Sequence, residues 1–373
     1  MKQIVAVQKC LSYDPDILLE ALRSSAKLAG GLDVQGKRVL LKPNILRDAP
    51  VKRAVSTHPE FVRAAIRLCM ECGAAEIKVG DSPGVHLADF KGTTCGIRQV
   101  VEEEGAVWAD FNGPKTRREV FSSSSREKTF FLTAVLDEVD VVVSLPKLKT
   151  HQLMNYTGAL KNLFGLVPGY AKAAFHVRYP GRDEMGRVIV DLADAVKPHF
   201  AIMDGVVAME GPGPGNGYPR SLGIVAASSS LIAMDMVLSE LIGYRWDEVP
   251  TNYFGAGRID GVRSPDDIEI KGTPIEELRP DSFQLIENNR LGFLLRLLRR
   301  FSFVRRIEIR LRPKPVFNHQ KCIRCGECVA ICGSNALEFQ KTGNTRRIVI
   351  HYHRCIRCYC CHEVCPADAI KIV

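Results

Sequence analysis

Short runs of aliphatic and β-branched residues alternate with longer segments whose apolar positions recur every three to four places, throughout the first 280 residues. The short runs predict strands at Gln3 to Gln8, Arg38 to Leu41, Glu76 to Val79, Val139 to Ser144, Phe200 to Met203 and Gly223 to Ala226. The longer ones predict helices at Pro15 to Leu28, Pro59 to Glu71, Ile97 to Glu104, Met185 to Val196 and Leu231 to Ile242. Thr57-His58-Pro59-Glu60 reads as a capping box opening the second helix. Alternation of this kind predicts an α/β fold, a mostly parallel sheet flanked by helices.

Ligands of such sheets collect where loops leave the carboxyl ends of the strands. The residues there are Lys42-Pro43-Asn44, Gly80-Asp81-Ser82-Pro83-Gly84, Pro146-Lys147-Leu148-Lys149-Thr150-His151 and Asp204-Gly205. The stretch from Lys147 to His176 carries Lys147, Lys149, His151, Lys161, Lys172 and His176 without one acid, and Gly158, Gly165 and Gly169 punctuate it. It predicts a loop wrapped around a carboxylate or phosphate; the plainer alternative is a solvated basic helix. Further on, Glu210-Gly211-Pro212-Gly213-Pro214-Gly215-Asn216-Gly217 permits close backbone approach to a ligand but has no Walker ending. Asp204, Glu210 and Asp235 are candidate acids or metal ligands, a cap being the usual role of an acid beside a turn. Cys69-x2-Cys72 falls inside a helical segment and is assigned to packing.

The pattern changes after residue 313. Cys322-x2-Cys325-x2-Cys328-x3-Cys332 is repeated as Cys355-x2-Cys358-x2-Cys361-x3-Cys365, and the offset also superposes Cys-Ile-Arg-Cys on itself and Ala336-Leu337 on Ala369-Ile370. Strands are expected at Val316 to Asn318, Ala336 to Gln340, Arg347 to His351 and Ile370 to Val373, with a short helix in each half. Three close cysteines and a fourth, twice, suit iron–sulfur clusters rather than the paired hooks of zinc. Cys360 falls outside the repeat and is left out of the ligand set.

At 373 residues, 46% hydrophobic and 25% charged, the chain has room for one large and one small domain. Boundaries are placed at 1–284, 285–313 and 314–373. No apolar run reaches membrane-span length and the start does not follow signal-peptide order, so a cytoplasmic location is expected. The net charge of +9 is concentrated between residues 290 and 314, where nine Lys and Arg face only Glu308. With no nucleic-acid motif elsewhere, nucleic acid is not an expected partner. Leu291, Leu294, Leu295 and Leu298 give this stretch an amphipathic helical pattern. Docking on the large domain or on an acidic redox partner is preferred to a membrane surface.

The cysteine repeat resembles the two-cluster bacterial ferredoxins. That resemblance implies two [4Fe-4S] clusters, one on Cys322, Cys325, Cys328 and Cys365, the other on Cys355, Cys358, Cys361 and Cys332. Gly333 departs from the family's proline, which is kept at Pro366. The strings VLLKPN, Ser56-Thr57-His58-Pro59, GDSPG, LPKLKTH with ALKNLFG, and MDGVVAMEGPGPG resemble the domain of unknown function 362 family over roughly residues 1 to 245. The strand-end lysines and histidines also give an analogy of layout to the lactate racemase family.

Together these features suggest an oxidoreductase relaying electrons through the clusters, supplied by a redox partner such as a ferredoxin, to an anionic small molecule in the α/β domain. Lys42, Asn44, Asp81, Lys147, Lys149 and Glu210 are the candidate binding residues, with Lys161, His151 and Asp204 assigned to catalysis. The alternative is a non-catalytic electron-transfer or cofactor-handling accessory protein.

Overall fold

The computed structural model describes residues 2–83, 92–111, 118–121, 126–169, 171–286, 307, 309–342 and 345–373. The strands of the α/β domain are β1 (Gln3–Lys9), β2 (Arg38–Pro43), β3 (Glu76–Val79), β4 (Val107–Trp108), the hairpin β5 (Arg118–Phe121) and β6 (Thr129–Leu132), β7 (Val141–Leu145), β8 (Lys147–His151), β9 (Asn155–Thr157), β10 (Phe200–Glu210), β11 (Tyr218–Ser228) and β12 (Ile268–Gly272). Its helices are α1 (Pro15–Leu28), α2 (Pro59–Glu71), α3 (Ile97–Glu103), α4 (Ala159–Asn162), α5 (Ala171–Arg178), α6 (Arg182–Val196), α7 (Leu231–Leu241), α8 (Pro250–Gly255) and α9 (Ile275–Leu278).

The main sheet runs β12-β1-β11-β10-β7-β2-β3-β4, with β8 and β9 attached beyond β10. Its β10-β7-β2-β3-β4 half is parallel, and β11 is antiparallel to both its neighbours. Period-two side-chain alternation builds both cores. Val39 and Leu41, Val141 and Val143, and Phe200 and Ile202 face α1, α2 and α3, packing with Leu18, Phe61 and Ile97. Leu40, Val142, Ala201 and Met203 face the other way, onto Leu160, Ile189 and Leu238 of α4, α6 and α7.

Three expectations change. Lys147 to His151 is a fully buried strand rather than a loop or solvated helix, because partners inside the protein satisfy its charged side chains. β10 continues past Met203 to Glu210 through a register shift at Gly205/Val207, so Asp204 lies within a strand. The capping box does not form: His58 is the N-cap and accepts from the Glu60 amide, while Thr57 donates to the Leu145 carbonyl.

In the C-terminal module β13 (Pro315–Phe317) pairs with β16 (Ile370–Ile372), and β14 (Leu337–Thr342) with β15 (Thr345–Ile350). Helices α10 (Glu327–Ala330) and α11 (Cys360–Val364) lie between them. The duplication extends to the backbone: Arg324 and Arg357, and Asn335 and Asp368, share positive φ. The amphipathic pattern on Leu291 to Leu298 lies outside the described residues. Among the described residues, no helix is long and apolar enough to cross a membrane.

Candidate functional site at the junction of the two domains

The strand ends hold closed networks, and beyond them is an open cavity. Lys42, at the end of β2, is buried and lies 2.8 Å from Asp81. It also donates to the Pro43 carbonyl and, at 3.0 Å, to Asn162. Asp81 in turn accepts from the Ile45 and Ser82 amides. Burial pulls the Lys42 pKa down, and Asp81 opposes this. Gly165 is required here, since a Cβ on it would fall 1.9 Å from the Asp81 carboxylate.

A second network closes over Asp204. Its carboxylate accepts from Lys147 at 2.7 Å, from Tyr13 at 2.8 Å and from the His58 amide at 2.9 Å, and the Tyr13 ring stacks on His58. Asp204 and Lys147 do not line the cavity. The structure thus places Asp204 and Lys147 in a buried ion pair outside the cavity lining, not beside Lys161. Glu210 is likewise removed from the cavity, accepting from the Gln284 amide where the chain leaves the domain. Asp235 caps α4, its carboxylate accepting from the Ala159 and Leu160 amides.

The cavity, of about 80 Å³, opens beside Lys42, Asn44 and Asp81. Lys161 and Lys172 reach it from α4 and α5, and His176 from the next turn of α5. No hydrogen-bond acceptor for Lys161 is present among the described residues, although its ammonium lies over the Phe164 ring at 5.9 Å. Lys172 donates to the Ser82 carbonyl, and burial lowers its pKa to about 7. Burial, with Lys161 nearby, lowers His176 to about 3, so its ring is neutral, and its buried Nδ1 has no hydrogen-bond partner among the described residues. Lys149 lies behind this wall, donating to Asn44 and the Val55 carbonyl; burial drives its pKa well down.

The opposite wall belongs to the cysteine module: Ile331, Cys360, Glu363 and Val364. His151 bridges the two. Its Nδ1 accepts from the Leu153 and Met154 amides, which leaves the proton of the neutral ring on Nε2, 3.5 Å from Glu363. Burial lowers the His151 pKa and raises that of Glu363.

The glycine-rich turn between β10 and β11 holds this wall in place. A Cβ on Gly215 would stand 2.4 Å from the Glu363 carbonyl, so at this glycine the close backbone approach is to the module. Arg47 donates to the carbonyls of Cys365 and Gly215, and Asn216 donates to that of His362.

Within the module, Cys322, Cys325, Cys328 and Cys365 line one pocket with Phe317 and Ile348. Cys355 has Cys358 and Cys332 as charge neighbours. The Ala336 amide donates to Cys332 Sγ at 3.2 Å and the Ala369 amide to Cys365 Sγ at 3.3 Å, the same bond in each repeat. Thiolates gathered around an apolar pocket, with amides directed at sulfur, fit an iron–sulfur cluster.

Residues 39–240 match the family described as Domain of unknown function (DUF362), and residues 321–369 match a 4Fe-4S dicluster domain. The chain belongs to the DUF362 family. A thylakoid-associated protein of Synechocystis sp. is 34% identical over 256 residues, which is 67% of this chain and 78% of that protein. Among solved structures, the lactate racemase apoprotein of Thermoanaerobacterium thermosaccharolyticum is similar over 56% of this chain at 16% identity and a TM-score of 0.38. A Thermotoga maritima protein is similar over 55% at 14% identity and a TM-score of 0.35. The matched region spans about half of each of these two structures, 51% and 53%.

The structure thus brings Lys42, Asn44, Asp81 and Lys161 to one cavity of the DUF362 domain, with Lys149 and His151 just behind them. The C-terminal module binds 4Fe-4S clusters. Sequence reasoning missed Glu363 and Cys360 as parts of the cavity, and Arg47 as the residue that seats the module. Only the three-dimensional fold brings Arg47 to Cys365, and neither residue's local pattern marks the contact.

Proposed function

We propose that the protein is an oxidoreductase in which two [4Fe-4S] clusters, on the two sets of four cysteines, exchange electrons with a small anionic molecule held between the domains. One observation carries this reading: a single cavity has cationic groups of the DUF362 domain on one wall and the cluster-bearing helix α11 on the other. Clusters bound there supply electrons one at a time. Lys161, which lacks a hydrogen-bond acceptor within the described chain, and Lys172 attract an anion and stabilise the negative charge that grows on it during reduction. Lys172, with a pKa of about 7, also holds a transferable proton at Nζ near neutral pH. Phe164, Ile331 and Val364, together with Ile45, Leu46 and Ala173, form the apolar part of the lining and suit a short carbon chain. An unsaturated carboxylate is the chemical class we favour: two electrons from the clusters and two protons, from Lys172 and solvent, convert its double bond to a single one.

The test uses anaerobically assembled protein containing about eight irons and eight sulfides, as two clusters require. After reduction, acrylate or fumarate is added and cluster absorbance is followed. Reoxidation that disappears in Lys161→Met, with iron content unchanged, is the expected outcome. Clusters that stay reduced although binding is shown calorimetrically would select the accessory, non-catalytic role.

A further inference from the structure

The two halves of the cysteine module are related by an internal repeat, and the protein uses them differently. In the second half, the arginine of Cys-Ile-Arg-Cys, Arg357, donates to the Arg312 carbonyl, and α11 is pressed against the DUF362 domain with Cys360 only 7% exposed. In the first Cys-Ile-Arg-Cys, Ile323, Arg324 and Cys325 are all exposed. Ile323 is 65% exposed, Cys325 is the one exposed thiol of the module among the described residues, and Lys321 and Arg324 on either side are exposed. No ion-pair partner for either is present among the described residues. Across the rim, exposed Arg346 lies over Phe339, whose ring abuts Gly326 next to Cys325.

Charge supports a specific occupant. The module carries nine Lys and Arg against four acids. Two of these acids are turned toward the DUF362 domain: Glu363 is buried against it, and Asp368 pairs with Arg53 at 2.7 Å. Four thiolates make a bound cluster negative overall, so an acidic protein approaching it is repelled unless local cations compensate. Lys321, Arg324 and Arg346 stand where that compensation is needed. Electron-transfer encounters are small and wet, so an apolar tip ringed by a few charges is a sufficient footprint.

We infer that the face formed by Lys321, Ile323, Arg324 and Arg346 is the docking surface for an acidic one-electron carrier protein, which exchanges electrons at the exposed cysteine set while the other set serves the cavity. One electron leaves the reduced carrier, which is thereby oxidised, and enters the module through this face. Its assignment of the other set to the cavity rests on the proposed function, whereas the docking face itself does not depend on which molecule the cavity holds.

The experiment uses the full chain with its clusters assembled and an acidic plant-type [2Fe-2S] ferredoxin as probe. Binding of the oxidised probe is measured by calorimetry at low and high salt, and reduction by the reduced probe is followed by stopped flow. Lys321→Glu/Arg324→Glu is expected to weaken binding and slow reduction by at least about tenfold at low salt, whereas Arg263→Glu, on a distant exposed loop, changes neither. Reduction by titanium(III) citrate controls for cluster integrity. If the double variant loses iron, Lys321→Glu/Arg346→Glu takes its place. Unchanged affinity in both pairs, or no salt-sensitive binding by the wild type, would overturn the inference. So would loss of binding to phosphatidylglycerol vesicles with the ferredoxin interaction intact, which would assign the face to a membrane.

Discussion

Lys147 and Lys161 belong to one basic run of sequence, yet their surroundings give them opposite roles. Lys147 is buried, 2.7 Å from Asp204, and Tyr13 and the His58 amide complete the carboxylate's shell. Removing one member of such a pair strands the other in a medium that cannot solvate it. Lys147→Met should therefore cost about 3–5 kcal/mol. Lys161→Met, which breaks no ion pair within the described chain, should cost less than about 1 kcal/mol. Both tryptophans, Trp108 and Trp246, lie in the α/β domain, so denaturant unfolding followed by their fluorescence makes this comparison. Equal losses would show that the Asp204 network is not a closed structural pair. Sequence composition marked both lysines as anion ligands because it shows charge but not the partner: Asp204 is 57 residues from Lys147.

The elements follow the sequence pattern where hydrophobic periodicity alone decides them. β3 and α1 fall where the pattern places them, and the alternation in β2, β7 and β10 divides the core as period two requires. β8 was misread for a physical reason: Lys-Leu-Lys-Thr-His looks solvated, and only tertiary partners make burial of its charges tolerable. α5 was not anticipated either, and it carries the titratable group of the cavity that matters most near neutral pH. Lys172 has a folded-state pKa of about 7, lowered from 10.5 by burial. The unfolded chain therefore binds more protons between these values, and the lysine's contribution makes stability rise with pH across that window. Anion binding runs the opposite way, since it needs the charged form. Affinity for acrylate should fall as pH rises through about 7, and Lys172→Met should flatten that part of the profile. Isothermal calorimetry from pH 6 to about 8.5 checks this; a wild-type profile without a step would separate Lys172 from the ligand.

For the molecule as a whole, what matters is how the cysteine module is held. Its cysteine spacing could be read directly, because metal-ligand chemistry leaves a local signature, whereas its seat is built from residues scattered through the other domain. Arg47 is the centre of that seat, buried and donating to Cys365, Gly215 and Asn216. Its guanidinium thus ties the glycine-rich turn to the backbone of Cys365, a candidate cluster ligand, and the cavity exists only while that wall is in place. Arg47→Ala removes these bonds and leaves three acceptors at the interface unmatched, which should loosen the module without altering any of its eight candidate cysteine ligands. The expected result is a protein with full iron content and clusters that titanium(III) citrate still reduces, but which no longer reoxidises on addition of a carboxylate. The chain between the domains should also become more sensitive to limited proteolysis. Retained reoxidation in this variant, with the proteolysis rate increased, would show that electrons reach the ligand without the docked arrangement, and would move the site of chemistry away from the shared cavity.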